Sequence, residues 1–345
     1  MSSISDYILF LLKIFTLLFL VAFAIFIVLN IKQKKNKQKK KLDIISLNDH
    51  YISMKHQIIM SSLSKYEQKM WYKRNEKIKK DKLKQDIKLI KKNSNHILNN
   101  KKPILYVIDF KGDINATAVA SLREEISAIL LVYRKNDEVL LRLESGGGTM
   151  HGYGLASAQL QRLRKKNIYL TVSVDKIAAS GGYMMACIAN HIIGAPFSII
   201  GSIGVIAQIP NFYKLLKKNN IDMELHTAGQ YKRTLTMFGK NTSESREKFC
   251  SELRATHSLF KKFVCSMRSS INIDEVSNGE YWFGSIALEK GLIDSLNTSD
   301  DFILSKIRDF SVLKISYINQ KKFLDSFMFK LKHNIKNRVF NILNV

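Results

Sequence analysis

The chain has 345 residues, 46% hydrophobic and 24% charged, enough apolar material for a full-sized core, which excludes a disordered chain or a disulfide-stapled miniprotein. Its three cysteines, Cys187, Cys250 and Cys265, are an odd number without CxxC spacing, so they signal neither a disulfide framework nor a zinc site. The formal charge of +26 is concentrated toward the front, where residues 31–102 carry 22 Lys and Arg against six Asp and Glu.

Ile8 to Leu29 is a 22-residue run whose only charge is Lys13. A helix needs about 20 apolar residues to cross a hydrocarbon core, so the run reads as a membrane span or a signal peptide. The leading MSSISDY has no basic residue, and the run exits into Asn30-Ile31-Lys32 without a small-x-small cleavage site. Both features favour an uncleaved anchor over residues 1–30. Seven lysines follow the run (Lys32, Lys34, Lys35, Lys37, Lys39, Lys40 and Lys41) and none precedes it, which predicts that the lysine side, with the bulk of the chain, is cytoplasmic. A periplasmic placement stays open.

Residues 31–102 read as a basic helical spacer. From Leu47 to Leu98, apolar residues such as Ile52, Ile59, Leu63, Met70, Ile78 and Leu83 recur at roughly helical intervals among lysines, giving one long or two consecutive solvated helices. Nucleic-acid binding would want interleaved stacking groups, and only Tyr66, Trp71 and Tyr72 are there. A charged spacer near an anionic bilayer is the better reading, and no nucleic-acid partner is expected.

Beyond Pro103 the pattern becomes α/β. Strands are predicted at Ile104–Phe110, Glu138–Leu143 and Ile168–Val174, with helices at Thr117–Tyr133 and Met150–Lys165 between them, as in βαβ units of a largely parallel sheet. A short helix Gly181–Asn190, strands His191–Gly194 and Ile199–Val205, a helix Phe212–Asn219, a strand Asp222–Thr227 and a long helix Ser243–Ser270 follow. The apolar block Tyr183–Ile203 is interrupted by Asn190, His191, Gly194, Pro196 and Ser198, so it reads as two core elements around a turn rather than a second span. Residues 311–345 read as a strand and a basic amphipathic helix, with Phe323, Phe327, Leu331, Ile335, Val339 and Leu343 every four residues.

Three loops follow strand ends, where open α/β sheets place their sites. Glu144-Ser145-Gly146-Gly147-Gly148 closes a strand, and consecutive glycines let backbone N–H groups converge on an anion, although a plain tight turn would use the same residues. In Asp175-Lys176-Ile177-Ala178-Ala179-Ser180-Gly181-Gly182, small residues precede a serine that opens a helix; Ser180 is either an exposed nucleophile or an ordinary N-cap. Ala228-Gly229-Gln230-Tyr231-Lys232-Arg233-Thr234 places Lys232 in a loop before the long helix, where a lysine is most often simply solvated.

Taken in order, DKIAASGGYMMA, GSIGVI, AGQYKRTLT and YWFGSIALEKGLID resemble the signal peptide peptidase (SppA) family of serine proteases, its SohB branch most closely. The resemblance covers about residues 103–310 and implies a ClpP/crotonase-like fold, extended at the front by the transmembrane helix and basic spacer that this branch also has. It implies that Ser180 is the nucleophile, Lys232 the general base, and Ser202 the hydroxyl that holds the lysine. Where the family usually has Asn-Ser-Pro-Gly-Gly this chain has Glu144-Ser145-Gly146-Gly147-Gly148, which leaves open which glycine N–H enters the oxyanion hole; Gly147, beside the N–H of Gly181, is the expectation. A lysine accepts a proton from serine only when desolvation or nearby positive charge disfavours its ammonium form, and burial of Lys232 would supply that. Ser-His-Asp chemistry is the rival, but His191 and His226 read as structural residues. No HExxH or acidic cluster suggests a metal, and no cofactor is expected.

The sequence thus predicts a membrane-anchored serine endopeptidase acting on extended apolar peptides such as signal-peptide remnants or membrane-protein fragments. Its sites in the family can draw Ser and Lys from neighbouring subunits, so a homo-oligomer is expected. A crotonase-like acyl-CoA enzyme and a non-catalytic membrane-tethered scaffold are the alternatives.

Overall fold

The computed structural model describes residues 41–92 and 102–318, together with Phe10, residues 12–21, Phe23 and Phe26. Residues 12–21 are helical; the expected span Ile8–Leu29 otherwise falls largely outside the described residues, as does the expected helix at 320–345. Among the described residues no helix is long and apolar enough to cross a membrane.

The strands predicted after Pro103 form the middle of a seven-stranded sheet. Its members are β1 (Lys41–Ser46), β2 (Ile104–Lys111), β3 (Glu138–Glu144), β4 (Tyr169–Val174), β6 (His191–Gly194), β9 (Ser295–Leu296) and β10 (Ser311–Ile318), in the spatial order β1-β10-β2-β3-β4-β6-β9. From β10 to β9 every pairing is parallel. A second sheet places β7 (Ile199–Gly201) between β5 (Ile177–Ala179), parallel to it, and β8 (Tyr281–Phe283), antiparallel to it.

Parallel strands covered on both faces read as near-continuous apolar runs, and β2 buries Leu105, Tyr106, Val107, Ile108 and Phe110. On one face Leu105, Val107, Leu140 and Val312 meet Ile303 of α10 (Ser299–Lys306), with Leu47 and Tyr51 of α1 (Leu47–Ser62) packed alongside. The helices α3 (Val119–Val132) and α4 (Met150–Lys165) bury Leu122, Ile126 and Ile129, and Tyr153, Ala156, Leu160 and Leu163, at the three-to-four-residue spacing of one helical face. Tyr153 meets Phe110, on the opposite face of β2 from Val107, edge-on at 6.5 Å. Each fully buried Leu, Ile or Phe in these layers contributes about 1.5–3 kcal/mol.

The remaining helices are α2 (Lys65–Lys92), α5 (Gly181–Ala186), α6 (Tyr213–Lys218), α7 (Ser243–Met267), α8 (Ile273–Val276) and α9 (Gly284–Glu289). Part of the stretch expected to form solvated spacer helices packs on the fold. The Asn48 side chain donates to the carbonyls of Ile307 and Phe310 and accepts from the Val312 N–H at 2.6 Å, so the start of α1 packs within the α/β unit, which runs from Asp43 to Tyr317. A second correction concerns Asp222–Thr227, predicted as a strand from its alternation. Among the described residues it forms no strand and pairs with none, and a strand without a partner is not stable alone. The strand expected to reach Val205 stops at Gly201, where Gly201 and Ser202 both take positive φ and turn the chain away.

Candidate active site

The site is assembled where β3 and β5 end. A bridge between Ser145 and Ala178, with Ser145 N–H donating to Ile177 and Ala179 N–H donating to Ser145, fastens the glycine loop to β5. Ser180 follows directly. Its backbone is held at φ 51° and ψ −117°, a conformation that costs a non-glycine residue about 1–3 kcal/mol, and its N–H donates to the Gly201 carbonyl at 2.8 Å. Ser180 opens α5 without capping it. Ser180 is half-buried, and among the described residues its hydroxyl has no hydrogen-bond partner, so the N-cap alternative does not apply.

Gly147 presses against this turn. It sits at φ +87°, and a Cβ on it would lie 2.7 Å from the Gly181 nitrogen and 2.8 Å from both the Ala179 oxygen and the Ser180 Cβ. Only glycine fits such an approach in that backbone conformation. Gly181 is equally constrained from behind, since its Cβ would fall 2.5 Å from the Tyr153 ring. Its N–H has no acceptor among the described residues. The N–H of Gly147, by contrast, donates to Ser145 Oγ at 3.1 Å.

Behind the loop runs a buried relay that the sequence did not reveal. Tyr153 donates to the Asp113 carbonyl at 2.8 Å, so its oxygen accepts from Ser145 Oγ at 2.5 Å, and Ser145 in turn accepts from Gly147. Burial pushes the Tyr153 phenol above its ordinary range. The only sequence signal was a tyrosine on the apolar face of α4, indistinguishable from ordinary core. Outside the loop, Glu144 pairs with Lys111 at 3.1 Å and Lys176 at 3.4 Å, and the Lys111 hydrogen bond holds its carboxyl below the usual range.

Of the residues expected at the site, Ser180, Gly181, Gly147 and Ser202 come together. Ala179 and Gly201 are register partners in β5 and β7, so Ser180 and Ser202 leave adjacent strand ends side by side. Ser202 is half-buried at φ 51°, and its N–H donates to Glu280. Lys232 is not brought to them. It lies exposed in a loop, and its amine forms no hydrogen bond or ion pair among the described residues. His191 bonds Ser295 at 2.9 Å and His226 bonds Glu224 at 3.2 Å, both away from Ser180. His257 is an addition: its Nε2 donates to the Ile203 carbonyl at 3.2 Å, one residue beyond Ser202. Among the described residues no group of His, Cys, Asp and Glu side chains could hold a metal ion.

The strained serine and the glycine loop pressed on it lie in a peptidase of the S49 class: the model of the N-terminal region of peptidase family S49 matches residues 2–160 and that of the peptidase family itself residues 162–312, so the chain belongs to that family. Within the family it is an SppA-type protease of the SohB kind. It is 64% identical over 306 residues to "Probable protease SohB" of Buchnera aphidicola subsp. Schlechtendalia chinensis, covering 89% of this chain and 100% of that protein. It is 44% identical to the corresponding Haemophilus influenzae protein, over 94% of this chain and 92% of that one. Among solved structures, a mutant of the 1510-N membrane-bound stomatin-specific protease is similar at TM-score 0.40 and 18% identity, over 60% of this chain and 85% of that one.

Proposed function

We propose that this protease is a membrane-anchored serine endopeptidase that cleaves extended apolar peptides with Ser180 as nucleophile and Lys232 as general base. The observation that carries the reading is Ser180 itself, half-buried, backbone-strained and, among the described residues, unbonded at its hydroxyl, with Gly147 and Gly181 packed against it. In the acylation step Ser180 Oγ bonds to the scissile carbonyl carbon while its proton passes to the neutral Lys232 amine. The negative oxygen is received by the Gly181 N–H and, once it turns from Ser145 Oγ, the Gly147 N–H. The C–N bond then breaks, and the Lys232 ammonium returns the proton to the leaving amine. A water, deprotonated by the same lysine, hydrolyses the ester and frees the serine. Ser202 orients the amine.

A lysine that serves as base needs cover from water, and Lys232 stands exposed on a segment, residues 205–242, that also exposes Ile206, Leu215, Met223, Leu225 and Tyr231. A second copy of the chain supplies that cover in this reading, making the working enzyme a homo-oligomer. In this reading the apolar run Ile8–Leu29 anchors it, and the seven lysines after the run support a cytoplasmic position for the peptidase.

The test is labelling of the full chain in detergent with a fluorophosphonate, the adduct being located by mass spectrometry. An adduct on Ser180, lost together with peptide hydrolysis in Ser180→Ala, is the expected result. An adduct elsewhere, or hydrolysis surviving in Ser180→Ala, overturns the reading.

A further inference from the structure

Three successive glycines leave the loop after β3 without a side chain of its own to hold it, and glycine loses more freedom on being fixed than any other residue. Its ends are pinned by backbone. Ser145 N–H donates to the Ile177 carbonyl and Thr149 N–H to the Ile114 carbonyl, both at 2.8 Å. Between those ends, among the described residues, a single hydrogen bond reaches the loop, from the Gly147 N–H to Ser145 Oγ.

That acceptor can face only one way. The Asp113 carbonyl takes the Ala116 N–H at 3.0 Å and the Tyr153 hydroxyl at 2.8 Å, so the Tyr153 proton is committed. The Tyr153 oxygen must accept from Ser145, and only lone pairs of Ser145 Oγ are left to meet Gly147. The far end is fixed as well, since the Asp113 carboxylate accepts from the Thr117 N–H and hydroxyl, both at 2.7 Å. Nothing around it has slack. A Cβ on Gly112 would stand 2.3 Å from the Tyr153 oxygen and 2.4 Å from Ser145 Oγ, and one on Gly182 would stand 2.5 Å from the Ser145 carbonyl oxygen.

Tyr153 also reaches the second donor. Its ring backs Gly181, where a Cβ would fall 2.5 Å from the ring Cγ and 2.8 Å from Cδ2. One fully buried side chain of α4 therefore sets the loop N–H through Ser145 and the first N–H of α5 by direct packing. We propose that Ser145 and Tyr153 are positioning residues for the hydrolysis, acting as one unit that aims the Gly147 and Gly181 N–H groups at the oxygen of the attacked carbonyl. This rests on the Ser180 reading and not on which group is the base. At 3.1 Å the bond from Gly147 to Ser145 is at the long end for an N–H donor. An oxyanion, a charged acceptor roughly twice as strong as a neutral one, takes the N–H over as the tetrahedral intermediate forms. The aim of the loop then matters in the transition state, and shows in kcat rather than KM.

The test compares Ser145→Ala, Tyr153→Phe and the double variant in the full chain in detergent. Peptide hydrolysis is measured beside inhibition by an apolar peptide boronic acid, which bonds to a serine as a tetrahedral anion and reports on the anion's donors without a leaving step. Each single variant is expected to lose about ten- to 100-fold in kcat with KM within about twofold, and to weaken boronate inhibition by a similar factor. The double variant should be no worse than the poorer single one, because members of a unit do not add. Ser145→Ala keeps the bond from Tyr153 to Asp113 and so probes the loop with the fold undisturbed. A folded Ser145→Ala protein with parental kcat and boronate affinity overturns the proposal. So does a loss confined to KM, or losses that multiply in the double variant. Failure of the Ser180 reading is separate, appearing as hydrolysis and boronate inhibition that persist in Ser180→Ala.

Discussion

Replacing Gly147 by alanine puts one methyl group where the nucleophile turn and the glycine loop meet. The new Cβ would stand 2.7 Å from the Gly181 nitrogen, 2.8 Å from the Ala179 oxygen and 2.8 Å from the Ser180 Cβ, all atoms that no side-chain rotation can move aside. Comfortable contact needs about 3.5 Å, so the loop and the turn must part by roughly 0.7 Å. The backbone at φ +87° adds about 1–2 kcal/mol for any residue with a Cβ. Together with the overpacking, the expected loss is about 2–4 kcal/mol of stability in urea unfolding. Misplacing reacting groups by 1 Å costs about 100-fold, and losing one oxyanion donor about 100- to 1000-fold, so kcat should fall about 100- to 1000-fold in peptide hydrolysis, with fluorophosphonate labelling of Ser180 slowed in parallel. Gly146→Ala is the control. Its Cβ meets nothing nearer than Ile177 Cδ1 at 3.8 Å, so activity should stay within a factor of two or so of the parent. A folded Gly147→Ala protein with wild-type activity, or equal losses in the two variants, would refute the geometry argued for this loop.

Lys232→Arg keeps the charge but cannot act as a base, so it should fold and lose nearly all peptide hydrolysis. Tyr153→Phe removes the phenol between Ser145 and the Asp113 carbonyl; it should cost about 1–3 kcal/mol in thermal or urea unfolding and lower kcat with KM little changed, since the Ser145 hydroxyl that accepts from Gly147 loses its acceptor. Burial pushes the Glu125 carboxyl up to about 7, against the Tyr317 N–H that it accepts at 2.8 Å, with Asp109 raising it further. A folded value above the unfolded one means stability is full at acid pH and is lost as pH rises from about 4.5 through 7. Glu125→Gln should therefore match the parent near pH 4 and exceed it by up to about 3 kcal/mol at pH 8. A pH-independent difference would show that burial of the charge is not the cause. Replacing His191 or His226 should alter unfolding midpoints at most, and loss of hydrolysis in the folded variants would return histidine to the list of candidate bases.

The order of elements was legible along the chain because each carries its own period. Leu105 to Phe110 is a continuous apolar run in a strand buried on both faces, and Leu122, Ile126 and Ile129 mark the buried stripe of α3. The loop motifs were legible too, since small residues around Ser180 and three successive glycines are needed wherever backbone approaches backbone closely. By itself the sequence therefore determined an α/β sheet, the position of the Ser180 and glycine loops in the chain, and membership of a protease family.

Tertiary structure alone decided the rest. Whether an alternating segment becomes a strand depends on a neighbouring edge, so Asp222–Thr227 has the pattern and no partner, while the short Lys41–Ser46, hidden among lysines, is a strand because β10 lies beside it. The positive φ at Ser180 and Ser202 and the relay from Gly147 through Ser145 and Tyr153 to Asp113 join residues up to 40 positions apart, and no local period encodes such a meeting. Lys232 is the sharpest case. The sequence places it in a loop, and the fold of one chain leaves it exposed, because the burial of a side chain is a property of what packs over it rather than of its neighbours in sequence.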